Sequence, residues 1–158
     1  MGMPEPTFDV DVGDLEKTYK SLQRQLHPDK FATQREEEKE YSAQQSALVN
    51  QAYNILRSPL RRAHYVLEER GVNEGEASEH TIEDPELLME VMELREVIES
   101  TDDAEQLRAL QAENDRKAEA CIKDLSDAFK RDELDRAAEL ATQLRYITRI
   151  GEAILQKV

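Results

Sequence analysis

The chain has 158 residues, a formal net charge of -14, 35% charged residues, no Trp, five Gly and five Pro, a composition that suits helices and one sizeable core or two small ones. Residues 67–158 carry -13 of that charge while residues 14–66 carry +2, and so acidic a surface repels phosphates, which excludes nucleic acid and anionic membrane as general partners. Cys121 is the single cysteine and His27, His64 and His80 lie far apart, so no disulfide framework, metal site or cofactor is expected, and no apolar run approaches a membrane span.

The first predicted helix runs to Leu26, with Leu15, Tyr19, Leu22 and Leu26 recurring at helical spacing and Asp11 or Asp14 available as a cap. Its opposite face carries Lys17, Lys20 and Arg24. Pro28 cannot continue the hydrogen-bond ladder and biases His27 out of the α region, so the helix stops at the tripeptide His27-Pro28-Asp29. Lys30 follows, which places the only concentrated basic patch of an acidic chain beside that tripeptide.

A second helix is predicted over Gln34–Leu56, with Tyr41, Leu48, Val49, Ala52, Tyr53 and Leu56 facing inward. It and the first make an antiparallel hairpin across the turn 27–33. Ser58-Pro59 breaks the chain and opens a third helix, Leu60–Arg70, which ends at Gly71 and buries Ala63, Val66 and Leu67. The expected domains are 1–71, an acidic polar linker 72–84, and 85–158.

From Pro85 onward three helical segments, about 85–99, 103–130 and 133–157, are joined by short connections, which predicts a three-helix bundle in an all-α protein. On the first of these, Leu87, Val91, Leu94 and Ile98 make the core stripe, whereas Leu88, Met89 and Met92 fall about 100–200° away, interleaved with Glu93, Arg95 and Glu96. The middle segment has a single stripe, Leu107, Leu110, Asn114, Ala118, Cys121, Ile122, Leu125 and Phe129, which makes Cys121 a buried thiol. In the last, Ala137, Leu140, Ala141, Leu144, Ile147, Ile154 and Leu155 share a face that Tyr146 leaves. An apolar strip with no core role, rich in Met and accompanied by an aromatic, marks either a protein-binding surface or packing on the N-terminal part.

The basic helix, the His27-Pro28-Asp29-Lys30-Phe31 turn and the run Leu48-Val49-Asn50-Gln51-Ala52-Tyr53 resemble a J-domain, the module that stimulates DnaK-type ATPase chaperones. Asp84-Pro-Glu-Leu-Leu-Met-Glu-Val-Met-Glu-Leu-Arg-Glu96 and Leu144-Arg-Tyr146 resemble the C-terminal domain of the HscB co-chaperones of iron–sulfur cluster assembly. The resemblance implies that His27, Pro28 and Asp29 contact a DnaK/HscA-type ATPase chaperone, with Lys17, Lys20, Arg24 and Lys30 attracting its acidic surface. It also implies that Leu88, Met89, Met92, Glu93, Glu96 and Tyr146 grip an IscU-type iron–sulfur scaffold.

Two departures from the family stand out. Met1-Gly-Met-Pro-Glu-Pro6 has almost nothing of the first short helix of a J-domain, since its prolines forbid a regular helix, so the J-domain is expected to be incomplete at its N-terminus. An N-terminal cysteine-rich zinc module found in some members has no trace here. The resemblance places a eukaryotic member in the mitochondrial matrix, with no targeting segment in this chain, and a bacterial member in the cytoplasm. The competing readings are a general J-domain co-chaperone delivering unfolded clients and an enzyme; the chain has no phosphate-cradling glycine loop and no nucleophile paired with a base.

Overall fold

The computed structural model describes residues 7–26, 35–72 and 84–158. Among the described residues there are six helices and no strand. They divide into two compact units, residues 1–65 and 66–158.

In the first unit, α1 (Val12–Leu26) and α2 (Glu36–Arg57) form the antiparallel hairpin. Of the two candidate caps of α1 it is Asp11 that acts, its Oδ1 accepting the Asp14 amide at 3.1 Å. Three glutamates, Glu36, Glu37 and Glu38, sit in the first turn of α2, where the helix dipole favours negative charge. Helix α3 (Pro59–Glu69) follows Ser58, whose Oγ accepts the Arg61 amide at 3.4 Å. Phe8, Leu15, Leu56 and Ala63 are buried in this unit. Arg62 is buried with them: Nη1 donates to the Leu56 carbonyl at 2.6 Å and the guanidinium stands 4.9 Å from the Phe8 ring centroid, while its buried Nε has no hydrogen-bond partner among the described residues.

The inward face of α2 includes the expected Val49, Tyr53 and Leu56 but differs from the expectation at Tyr41 and Leu48. Tyr41 and Leu48 are 64% and 58% exposed, while Ser42 and Ser46 are buried. The face turned toward α1 runs through 42, 46, 49, 53 and 56, about 100° from the stripe through 41 and 48, because α1 offers the serines acceptors, the Leu26 carbonyl for Ser42 and the Gln23 side chain for Ser46.

Helix α3 ends with its Val66 and Leu67 in the second unit, both fully buried, and closes at Gly71 with φ 86°, the left-handed position that favours glycine. That unit also holds α4 (Pro85–Ser100), α5 (Ala104–Lys130) and α6 (Leu134–Lys157), a three-helix bundle in which α6 packs on both α4 and α5. Asp84 and Asp103 cap α4 and α5 through the amides of Leu87 and Glu105. Leu125, Ala128, Phe129, Ala137, Leu140, Ala141 and Leu144 are buried among these helices, and Ile98, Leu107, Ile150 and Ile154 form a second cluster with Val91 and Leu94. Leu155, expected in the core stripe, is 66% exposed; it stands about 100° round the helix from Ile154, and Ile150 and Gly151 take the buried positions instead. Asn114 crosses the α5/α6 seam, its Nδ2 donating to the Ile147 carbonyl at 3.0 Å. Lys157 ties the end of α6 to the α4–α5 connection, donating to the carbonyls of Glu99 and Thr101 at 2.9 and 3.1 Å and to Asp102 Oδ1 at 3.1 Å.

Candidate docking surfaces

Helix α1 presents Lys17, Lys20 and Arg24 to solvent on the face away from α2. The side chains do not repel one another freely. Lys20 Nζ pairs with Glu16 at 2.7 Å, and this hydrogen bond, reinforced by the charge, raises the lysine's pKa and lowers the glutamate's. Arg24 Nε donates to the Lys20 carbonyl at 3.4 Å. Glu16, which the sequence reading passed over, is thus part of the basic face. His27, Pro28, Asp29 and Lys30 lie outside the described residues. The last described residue before them, Leu26, has its carbonyl bonded by Ser42 Oγ.

Helix α4 carries the second surface. Ile98 is 2% exposed and Leu87, Val91 and Leu94 are half-buried, whereas Leu88, Met89 and Met92 are 42%, 61% and 63% exposed, with Glu93 and Glu96 exposed beside them. The amphipathic arithmetic is therefore met on one side, and the second apolar strip stands in solvent with acidic flanks.

Tyr146 on α6 is half-buried and does not stand in that strip. It lines a mostly apolar cleft of about 300 Å³ with Leu87, Val91, Cys121, Ile147 and Ile150. The Lys117–Glu90 ion pair, at 2.8 Å, joins α5 to α4 beside it. Sequence reasoning missed this cleft because its walls come from three helices; the small Ala120 and Cys121 on the α5 side were its only local signal. The Cys121 thiol is buried, donates to the Leu140 carbonyl at 3.3 Å, and is pushed up to about 11 by that burial, so it is inert rather than nucleophilic. Among the described residues no group of three His, Cys, Asp or Glu could hold a metal ion, and no helix is long and apolar enough to cross a membrane.

The described residues thus make a helical hairpin with an exposed basic face and, after it, a helical bundle with an exposed apolar strip. Residues 7–65 match the family model described as DnaJ domain, so the class is that of J-domain proteins. Residues 83–155 match the model described as HSCB C-terminal oligomerisation domain. The chain is 38% identical over 154 residues to an Arabidopsis thaliana protein named iron-sulfur cluster co-chaperone protein HscB homolog, covering 98% of this chain and 60% of that one. It is 36% identical over 153 residues to the co-chaperone protein HscB homolog of Neisseria meningitidis, covering 95% and 92% of the two chains. The crystal structure of human co-chaperone protein HscB superposes with a TM-score of 0.88 at 32% identity, over 97% of this chain and 77% of that one. The chain belongs to the HscB family of J-domain co-chaperones, which is not itself an enzyme family.

Proposed function

We propose that this chain is an adaptor: α1 and the tripeptide after it dock on a DnaK/HscA-type ATPase chaperone and stimulate its hydrolysis, while α4 and α6 hold an IscU-type iron–sulfur scaffold. The observation that carries the reading is the strip Leu88, Met89 and Met92, left in solvent on a helix whose core face is already supplied by Leu87, Val91, Leu94 and Ile98. Such a strip gives a partner apolar anchor area, Met adapts its shape to that partner, and Glu93 and Glu96 select a surface with basic groups.

The basic face of α1 speeds and orients encounter with an acidic chaperone surface, and His27, Pro28 and Asp29 supply the contact that stimulates it. Tethering raises the effective concentration of scaffold near the chaperone. ATP hydrolysis, catalysed in the partner, then locks the chaperone on the scaffold and aids cluster transfer. This chain supplies docking groups and no chemistry. We place it in the mitochondrial matrix if the source is eukaryotic and in the cytoplasm if it is bacterial.

The test is His27→Gln in a steady-state ATPase assay with a DnaK-type chaperone. Stimulation is expected to be lost with scaffold affinity intact; normal stimulation sinks the docking assignment. A pull-down that captures denatured polypeptides with no preference for a folded scaffold favours the general-client reading instead.

A further inference from the structure

The α1/α2 seam is polar at the end that leads into the tripeptide. Gln23 Nε2 donates to the Ser46 carbonyl and to Asn50 Oδ1, both at 3.1 Å, and Gln23 Oε1 accepts from Ser46 Oγ at 2.7 Å. One turn to either side, Ser42 Oγ donates to the Leu26 carbonyl and the Tyr19 hydroxyl donates to Asn50 Oδ1. The pairs 26–42, 23–46 and 19–50 step down one helix as they step up the other, so they define a single antiparallel register. Ser42 and Ser46 are 2% and 8% exposed, and the Tyr19–Tyr53 stack, with centroids 4.1 Å apart, begins the aromatic part of the seam.

Hydrophobic burial by itself leaves the rotation open. Turning α2 by about 100° brings the exposed Tyr41 and Leu48 toward α1 while moving Val49 and Tyr53 away from it along with the serines. An apolar seam tolerates both rotations, whereas paired donors and acceptors tolerate one.

Resting on the chaperone-docking reading above, we propose that Gln23, clasped to Ser46 and Asn50, is a positioning residue that fixes the rotation and register of α1 against α2 and so the presentation of His27-Pro28-Asp29. The clasp acts on geometry more than on stability. Replacing Gln23 and Ser46 together by apolar groups leaves no unsatisfied polar side-chain atom between the two, since Asn50 Oδ1 keeps the Tyr19 hydroxyl, and is close to neutral for folding.

The experiment uses the full chain with Gln23→Leu and Ser46→Ala combined, measured by circular dichroism and by titration into a DnaK-type chaperone hydrolysing ATP. Helicity is expected to stay at the wild-type level, with a melting temperature within about 4 °C. The maximal stimulated rate is expected to fall at least about fivefold while the half-saturating concentration changes less than about twofold, because the basic face still brings the chain to the chaperone. Ser46→Thr, which keeps the hydroxyl, stays active, and adding Leu48→Gln to the double variant restores part of the rate by removing the competing apolar rotation. A double variant as active as the wild type overturns the positioning role, as does a loss of rate that tracks a loss of helicity. A wild-type chain that does not stimulate the chaperone overturns the docking reading and this proposal together.

Discussion

Met89→Ala combined with Met92→Ala separates binding from folding. The two side chains are 61% and 63% exposed, so each has about two-fifths of its surface to lose from the fold. Full burial of such a side chain contributes about 1.5–3 kcal/mol, which leaves roughly 1 kcal/mol or less for each here, with no cavity term because solvent fills the space. The pair then costs a few degrees of melting temperature, at about 2–4 °C per kcal/mol for a chain of this size. Scaffold affinity is expected to respond far more, since central apolar anchors commonly cost about 2 kcal/mol or more each on truncation. A combined loss of about 2–4 kcal/mol is a weakening of roughly 30- to 1,000-fold, measurable by isothermal titration calorimetry. Ile98→Ala is the opposite control: 2% exposed in the bundle core, it is expected to cost about 2–5 kcal/mol of stability and little intrinsic affinity at a temperature where the variant is folded. Unchanged affinity in the Met pair refutes the docking role of the strip. A melting temperature as low as that of Ile98→Ala places the methionines in the core instead.

Two further outcomes follow from the bundle interior. Gly151→Ala puts a Cβ 3.0 Å from Asn114 Nδ2; the gain of about 1 kcal/mol in helix propensity is outweighed by leaving the Asn114 amide without its Ile147 partner, which costs about 1–3 kcal/mol, so urea denaturation is expected to show net destabilisation. In an Asn114→Ala background the same change stabilises, and stabilisation of the otherwise wild-type chain refutes the close approach. Cys121 is expected to resist a disulfide-exchange reagent at pH 8 in the native state and to react at once in urea, because burial holds its thiol up at about 11. Since the unfolded thiol ionises at lower pH than the folded one, the unfolded state holds fewer protons above about pH 9, and this thiol's contribution to stability falls as pH rises from there toward 11. Rapid native-state labelling refutes the assignment.

Helix α4 was legible because its two apolar strips lie well apart on the wheel, and Asp84-Pro85 marks its start without help from any neighbour. The same arithmetic held on α2 for Val49, Tyr53 and Leu56 and failed for Tyr41 and Leu48, where the stripe through those two and the face through Ser42 and Ser46 are adjacent. Composition favours the first, and only side chains 23 and 31 residues distant in sequence, Gln23 for Ser46 and Tyr19 for Asn50, select the second. Leu155 failed for a related reason: periodicity offers Ile154 and Leu155 alike, and whether a neighbouring helix reaches that far round α6 is not a local property.

The sequence by itself determined the helices, their ends and the family: proline, glycine and acidic caps act within a turn of where they stand, and the tripeptide and the Met-rich strip are contiguous or nearly so. Tertiary structure alone decided which face of α2 meets α1, where Tyr146 goes, and that a cleft opens among α4, α5 and α6. Each of those depends on contacts between helices, hydrogen bonds for the face of α2 and apolar packing for the cleft, terms of about 1 kcal/mol that no single segment contains.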